Sequence, residues 1–144
     1  MSFQWLNMRI TEEQDRRQRE AQILERLPQV LNELHDALAA CLAEYTSAFG
    51  AESAEITHQP NRVHISVREE QDGKWQQISK VDITTVVSVP GFQIERGTEP
   101  LIIEVGLLPG DKSYYRDRSL DKYLGMDDLT RRILDRALFP RLGE

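Results

Sequence analysis

The chain has 144 residues, 40% of them apolar and 29% charged, with a net charge of −6 and one cysteine. That length supports a single domain with a hydrophobic core of its own. The acidic balance argues against bulk binding to DNA, RNA or an anionic membrane, which reward positive charge, and a lone thiol excludes an intrachain disulfide.

Residues 1–10 hold Phe3, Trp5, Leu6 and Met8 but are too short for the apolar core of a secretory signal and run straight into Thr11-Glu12-Glu13. Later apolar runs are strand-sized, so no membrane span is expected and the reading is a cytoplasmic protein. Thr11 reads as a helix N-cap, with Glu12 and Glu13 in the first turn and Gln14 at the capping-box position. The stretch to Arg26 is rich in helix formers and charge, with Ala21, Ile23 and Leu24 its few apolar positions. Pairs such as Glu12 with Arg16 and Asp15 with Arg19 have the spacing to support it, and its polar surface predicts a helix that projects from the body or lies along a partner.

Leu24, Leu27, Leu31, Leu34, Leu38, Cys41, Tyr45 and Ala48 recur at steps of three and four, which keeps them on one side of a helix. Ile23, Val30, Ala37, Leu42 and Phe49 widen this seam beyond a two-stranded coiled coil, toward a helix that covers a sheet. Cys41 lies among these leucines and reads as an inert buried thiol. Pro28 cannot donate to the carbonyl of Leu24. The seam keeps phase across it, which favours one helix kinked there over two. Gly50 ends the helix as a natural C-terminal cap.

The apolar period then changes to two. A two-residue turn at Pro60-Asn61 sets Ile56 opposite Ile65 and Ala54 opposite Val67. At Asp72-Gly73, a two-residue type I′ turn would set Val67 opposite Ile78 and break the match between apolar faces. A three-residue loop, Gln71-Asp72-Gly73, sets Val63 opposite Val81 and restores it. The strand from about 74 to 89 is long enough to need a bend or bulge. A tight turn at Pro90-Gly91 pairs Val89 with Phe92 and Val87 with Ile94. A loop at Arg96-Gly97-Thr98-Glu99-Pro100 leads to a strand over 101–108 that ends at Pro109-Gly110-Asp111. Residues 112–125 hold either a strand at Tyr114-Tyr115 or a helical turn after Ser119. Asp127 caps a short last helix with Leu129, Ile133, Ala137 and Leu138 on one stripe, stopped by Pro140. The expected fold is a two-layer α+β domain: a long N-terminal helix packed on a four- or five-stranded antiparallel meander, then a short C-terminal helix.

No motif for phosphate binding, nucleophilic catalysis or zinc is present, and no cofactor is expected. His58 and His64 fall on opposite faces of one hairpin and share no metal, and His35 lies beside the seam. Asp82 and Glu104 interrupt apolar strands: either one sheet face is wet, with Lys80, Asp82 and Thr84 in cross-strand contact there, or the two are buried acid–base groups, and a strand 101–108 lying beside strand 74–89 would give Glu104 Lys80 or Arg62 as partner. The stretch most like a binding site is Tyr114, Tyr115, Arg116, Arg118, Lys122 and Tyr123, since tyrosine and arginine dominate binding hot spots. Its arginines have Asp117, Asp121, Asp127 and Asp128 as alternative partners. Phe3 and Trp5 are exposed aromatics unless a second copy buries them.

In length, acidity and helix–sheet–helix order the chain resembles the small acidic dimeric chaperones that escort bacterial secreted effectors, whose leading helix is generally much shorter. The helix-over-sheet layout is also similar to cystatin-like ligand-binding folds. The resemblance implies a protein partner. The expected function is a non-enzymatic protein-binding module, homodimeric, with another protein or a second copy as partner and nucleic acid disfavoured. The other expectation is a small-molecule binder or enzyme with a pocket between helix and sheet, using Asp82, Glu104 or His58.

Overall fold

The computed structural model describes residues 1–97, 99–110 and 112–142. Thr98 of the expected 96–100 loop and Asp111 of the turn after residue 108 lie outside the described residues. Helix α1 (Gln4–Phe49) is followed by β1 (Ala54–Gln59), β2 (Arg62–Gln71), β3 (Lys74–Val86), β4 (Gly91–Glu95), β5 (Leu101–Leu108), β6 (Lys112–Asp117), β7 (Lys122–Leu124) and helix α2 (Met126–Leu138). The strands form one antiparallel meander in chain order. The architecture is α+β as expected, but the sheet has seven strands rather than four or five. The extra two come from the ambiguous stretch 112–125. There polar side chains fall on both faces, so the alternation that marks a half-buried strand is absent from the composition.

The long helix starts eight residues earlier than its sequence signals suggest, with its N-cap position at Phe3 rather than Thr11. Thr11 is not its cap. The Thr11 hydroxyl donates 3.1 Å to the carbonyl of Asn7, one turn back, and the chain enters the helix at Phe3 with no side-chain cap. Glu12 and Glu13 are therefore interior residues. At about 1.5 Å per residue, 46 residues make a rod roughly 69 Å long. It runs through Pro28 as one element. Pro28 lies on the exposed side, where water can satisfy the carbonyl of Leu24. Gly50 closes the helix at φ 110°, its N–H donating 2.8 Å to the carbonyl of Thr46.

The first hairpin has the expected register, Ile56 opposite Ile65 and Ala54 opposite Val67. The second does not. Its turn is the two-residue Asp72-Gly73 with φ of 54° and 75° and Gln71 opposite Lys74, not the three-residue loop. The parity defect is repaired farther along. Val67 faces Ser79 while Arg68 faces Gln77, so Ile78 is an extra residue in β3. This bulge sets Val63 opposite Ile83 and Ile65 opposite Val81, so the apolar faces coincide after all. The next turn also differs. Val86 pairs with Gly91 and Ile83 with Ile94, so Val87 to Pro90 form the connection, and Val87 is 66% exposed. Gly91 is required at its position, because a Cβ there would come within 2.0 Å of the Ile103 carbonyl oxygen.

One face of the sheet is covered by both helices. Leu31, Leu34 and Leu38 of α1, Ile65, Ile83, Phe92, Ile94 and Ile103 of the sheet, and Leu129 and Ile133 of α2 are fully buried there. Each such side chain contributes about 1.5–3 kcal/mol by leaving water. Before Leu27, α1 has no buried residue at all. That leading part, the arm, is held as helix by ion pairs along its own surface. Arg9 meets Glu12 at 2.8 Å, Arg16 meets Glu13 at 2.8 Å and Glu20 at 2.6 Å, and Arg17 meets Glu13 at 3.1 Å. These are not the Glu12–Arg16 and Asp15–Arg19 pairs that spacing suggested. Hydrogen bonds from Arg16 and Arg17 hold the Glu13 carboxyl down at about 2.

Candidate functional site

The candidate residues fall in three places. Strands β5, β6 and β7 pair so that Gly106 faces Tyr114, Glu104 faces Arg116 and Arg116 faces Tyr123, all on the sheet face that neither helix covers. The Tyr114 ring lies over Gly106, where a Cβ would meet it at 2.0 Å, and its edge meets Tyr123 with centroids 5.6 Å apart. Tyr123 is 67% exposed. Arg116 donates to Glu104 at 2.9 Å and also holds Asp121, while Arg118 meets Glu104 at 3.2 Å. The bond to Asp121, then that to Glu104, pushes the Arg116 pKa above its ordinary value, so it stays a cation. Glu104 thus takes Arg116 of the neighbouring strand β6 and Arg118 just after it, not Lys80 or Arg62. The arrangement is an exposed aromatic pair beside a neutralised charge cluster.

Tyr115 lies elsewhere. It is 5% exposed and part of the core, opposite Val105, and burial pushes its hydroxyl pKa up to about 12. Lys122 is exposed opposite Asp117. Phe3 and Trp5 sit at the free end of the arm, 50% and 66% exposed, with Leu6, Met8 and Ile10 exposed beside them. The structure brings Tyr114, Arg116, Arg118 and Tyr123 together and leaves Phe3 and Trp5 on a separate surface.

Asp117 is a functional-looking residue with a structural task. It is fully buried on the covered face. It accepts from the Ser119 N–H at 3.0 Å, the Ser119 hydroxyl at 2.8 Å and Arg132 Nε at 3.0 Å. Burial alone would raise its pKa; the bonds from Ser119 and Arg132 outweigh burial and hold it below the ordinary value. It therefore closes the β6–β7 turn and ties it to α2. The sequence signal was Asp117 two residues before Ser119, the spacing of a side chain that caps its own turn. Arg96 donates 2.7 Å to the carbonyl of Arg132 beside it.

Farther across the bare face is a group that the sequence did not assemble. The β3 bulge sets His64 opposite Asp82. His64 Nδ1 lies 2.8 Å from Asp82 Oδ1, and Nε2 lies 3.2 Å from the Ser66 hydroxyl. Arg62 Nε donates 3.0 Å to the same Asp82 oxygen, and Ser66 donates 3.3 Å to Gln77. Desolvation raises the Asp82 pKa, but the bonds from His64 and Arg62 prevail and lower it. Carboxylate, imidazole and hydroxyl follow one another in the order of a hydrolytic triad. The order is not sufficient. Acyl transfer needs donors aimed at a developing oxyanion, and β2 lies between β1 and β3, which take up its backbone donors in the ladders. The group ties strands together across the sheet. His58 is on the other face, its ring stacked on His35 at 4.6 Å, so the two strand histidines do not meet. Among the described residues no group of three His, Cys, Asp or Glu is placed to hold a metal.

The expected pocket between helix and sheet does not contain Asp82 or Glu104, which lie on the bare face, and His58 is exposed. A cleft of about 340 Å³ lined by aromatic rings lies where the end of α1 meets β3 and the C-terminal segment. Tyr45, Phe49, Trp75 and Phe139 line it, with Arg141 and Glu69 paired at 2.7 Å on its rim. Tyr45 meets Phe49 at 4.8 Å and Phe139 at 5.8 Å between centroids. Its residues are far apart in the chain, and only the fold reveals it.

Among the described residues no helix is long and apolar enough to cross a membrane. No family model matches the chain, and no curated protein or solved structure matches it either.

Proposed function

We propose that the chain is a non-enzymatic protein-binding module of adaptor, chaperone or immunity type, that it works in the cytoplasm as a homodimer, and that neither nucleic acid nor membrane is its partner. The observation that carries this reading is the uncovered apolar end of α1. Phe3, Trp5, Leu6, Met8 and Ile10 are all 40% exposed or more, at the tip of a helix with no buried residue before Leu27. An exposed cluster of this kind at the end of a rigid arm is stabilised when another surface covers it. The Tyr114–Tyr123 pair, rimmed by Arg116 and Arg118, supplies a second contact surface on the bare sheet face.

Light scattering on the full chain tests the assembly: twice the chain mass is expected, and a monomer at every concentration rejects it. Affinity capture from the native host tests the second surface. Tyr123→Ala with Arg118→Ala is expected to lose a partner that the unaltered chain retains, with the melting temperature unchanged. Equal recovery of that partner by both chains rejects the surface. The aromatic cleft at Tyr45, Phe49 and Trp75 favours a second reading, a binder of a small apolar ligand. Quenching of Trp75 fluorescence by such a ligand, abolished in Phe139→Asp, is the result that reading requires.

A further inference from the structure

We propose that two copies of the chain join through their arms, side by side and antiparallel, about a twofold axis between Asp15 and Arg16. This rests on the homodimeric reading above and gives the dimer its contact and its direction.

The first support is the order of charge along the arm. Residues 12–19 read Glu-Glu-Gln-Asp-Arg-Arg-Gln-Arg, three acids followed by three arginines. A parallel copy would set acid on acid and arginine on arginine. An antiparallel copy centred between Asp15 and Arg16 sets Glu12 opposite Arg19 and Asp15 opposite Arg16, and does so twice by symmetry. Within one chain the arm does not use all of this charge. Glu13, Glu20 and Glu12 are taken by Arg16, Arg17 and Arg9, while Asp15 and Arg19 make no ion pair among the described residues. An anion and a cation are left over, four residues apart.

The second support is the helix face. Trp5, Met8, Glu12, Asp15, Arg19 and Ile23 follow at steps of three and four and so form one stripe. The same stripe runs on into the buried seam at Leu27 and Val30. From Glu12 to Ile23 it borders an open groove of about 420 Å³ whose far wall is Pro90. The turn before Pro90 carries Val87 and Val89, 66% and 39% exposed. The register fixed by the charges sets Met8 of one copy opposite Ile23 of the other, at that groove. One displacement therefore gives Asp15 and Arg19 partners in Arg16 and Glu12 of the other copy and brings Met8 of the tip onto Ile23 at the apolar shoulder. A segment of an unrelated protein would have to match both by coincidence; a second copy matches both by construction.

Three arm variants of the full chain, compared by light scattering over a dilution series, test the pairing. Arg16→Glu, Arg17→Glu, Arg19→Glu makes an all-acidic arm, and Glu12→Arg, Glu13→Arg, Asp15→Arg an all-basic one. Each alone is expected to dimerise at least about tenfold more weakly than the unaltered chain, since four opposed pairs become repulsive. An equimolar mixture of the two is expected to form a mixed dimer. The third variant carries all six changes, which exchanges the two blocks, and is expected to dimerise like the unaltered chain. Direction is read by oxidative crosslinking in a Cys41→Ala background. Met8→Cys with Ile23→Cys is expected to give a crosslinked dimer, and Met8→Cys alone to give none.

A dimer unaffected by either charge variant overturns the arm pairing and leaves the homodimeric reading standing. Efficient crosslinking of Met8→Cys alone overturns the antiparallel direction. A monomeric unaltered chain overturns both this inference and the reading beneath it.

Discussion

The two faces of the sheet carry the same residue types under different rules. On the covered face Asp117 is fully buried, held by one arginine and by the groups of its own turn. On the bare face Asp82 and Glu104 each draw two basic partners, at the edge of solvent. A buried carboxylate is stabilised by being fully satisfied, and losing one partner leaves a charge that water cannot reach. An exposed carboxylate exchanges partners with water at little cost, so its network sets geometry more than stability. The apolar residues divide the same way. Leu34 and Phe92 have no exposed surface, whereas Tyr123 keeps most of its ring in water. The contrast teaches where substitutions should unfold the molecule and where they should change only what it touches.

The largest losses of stability are expected on the covered face. Leu34→Ala is expected to cost about 3 kcal/mol in chemical denaturation, because it opens a cavity under the middle of α1. Gly91→Ala should be comparably damaging, since the added Cβ meets backbone that cannot swing aside. Asp117→Ala is expected to cost about 2 kcal/mol, because the β6–β7 turn loses the acceptor for the Ser119 N–H, the Ser119 hydroxyl and Arg132. Asp117 also gives the contrast a pH signature. Its pKa is lowered in the folded state, so its stabilisation is complete above the ordinary aspartate value of about 3.9 and fades as the pH falls through the lower folded value. Between pH 6 and pH 3 the melting temperature of the unaltered chain should drop more than that of Asp117→Asn; equal drops would assign acid sensitivity to other carboxylates. On the bare face Asp82→Ala should cost about 1 kcal/mol, with His64 and Arg62 free to turn to water. Smallest is Tyr123→Ala, expected within about 0.5 kcal/mol. A loss above about 2 kcal/mol for either bare-face change would erase the distinction.

Much of the covered face was legible in the sequence, because burial writes itself as period. The leucine seam from Leu27 to Leu42, the Ile56–Ile65 register and the 101–108 strand all follow from where apolar residues recur. The bare face was less legible. A polar surface tolerates many orders of residues, so β6 and β7 left no clear alternation. The second hairpin shows why the side-chain group at His64 escaped. Moving one residue from the turn to a bulge at Ile78 restores parity equally well, but shifts the register by two. With the longer loop His64 faces Lys80; with the bulge it faces Asp82. Hydrophobic matching cannot tell these apart, because both put Val63 and Ile65 inward. The start of α1 was missed for a different reason. Thr11-Glu12-Glu13 has the composition of a helix start, but Gln4 to Ile10 continue the helix without a cap.

The meander leaves two unpaired borders, and they are unequal. One is β7, only three residues long, with the charged Lys122 at its start. Such a stub offers little template for a strand from another molecule, and its charge resists stacking. It pairs with Tyr115, Arg116 and Asp117, the second half of β6, so unpairing it would extend the open border from Lys112–Tyr114 along the whole of that strand. The short last ribbon thus serves as a hem on half of that border, and Tyr123→Pro, which unpicks it without removing α2, is expected to raise turbidity on concentration above that of the unaltered chain.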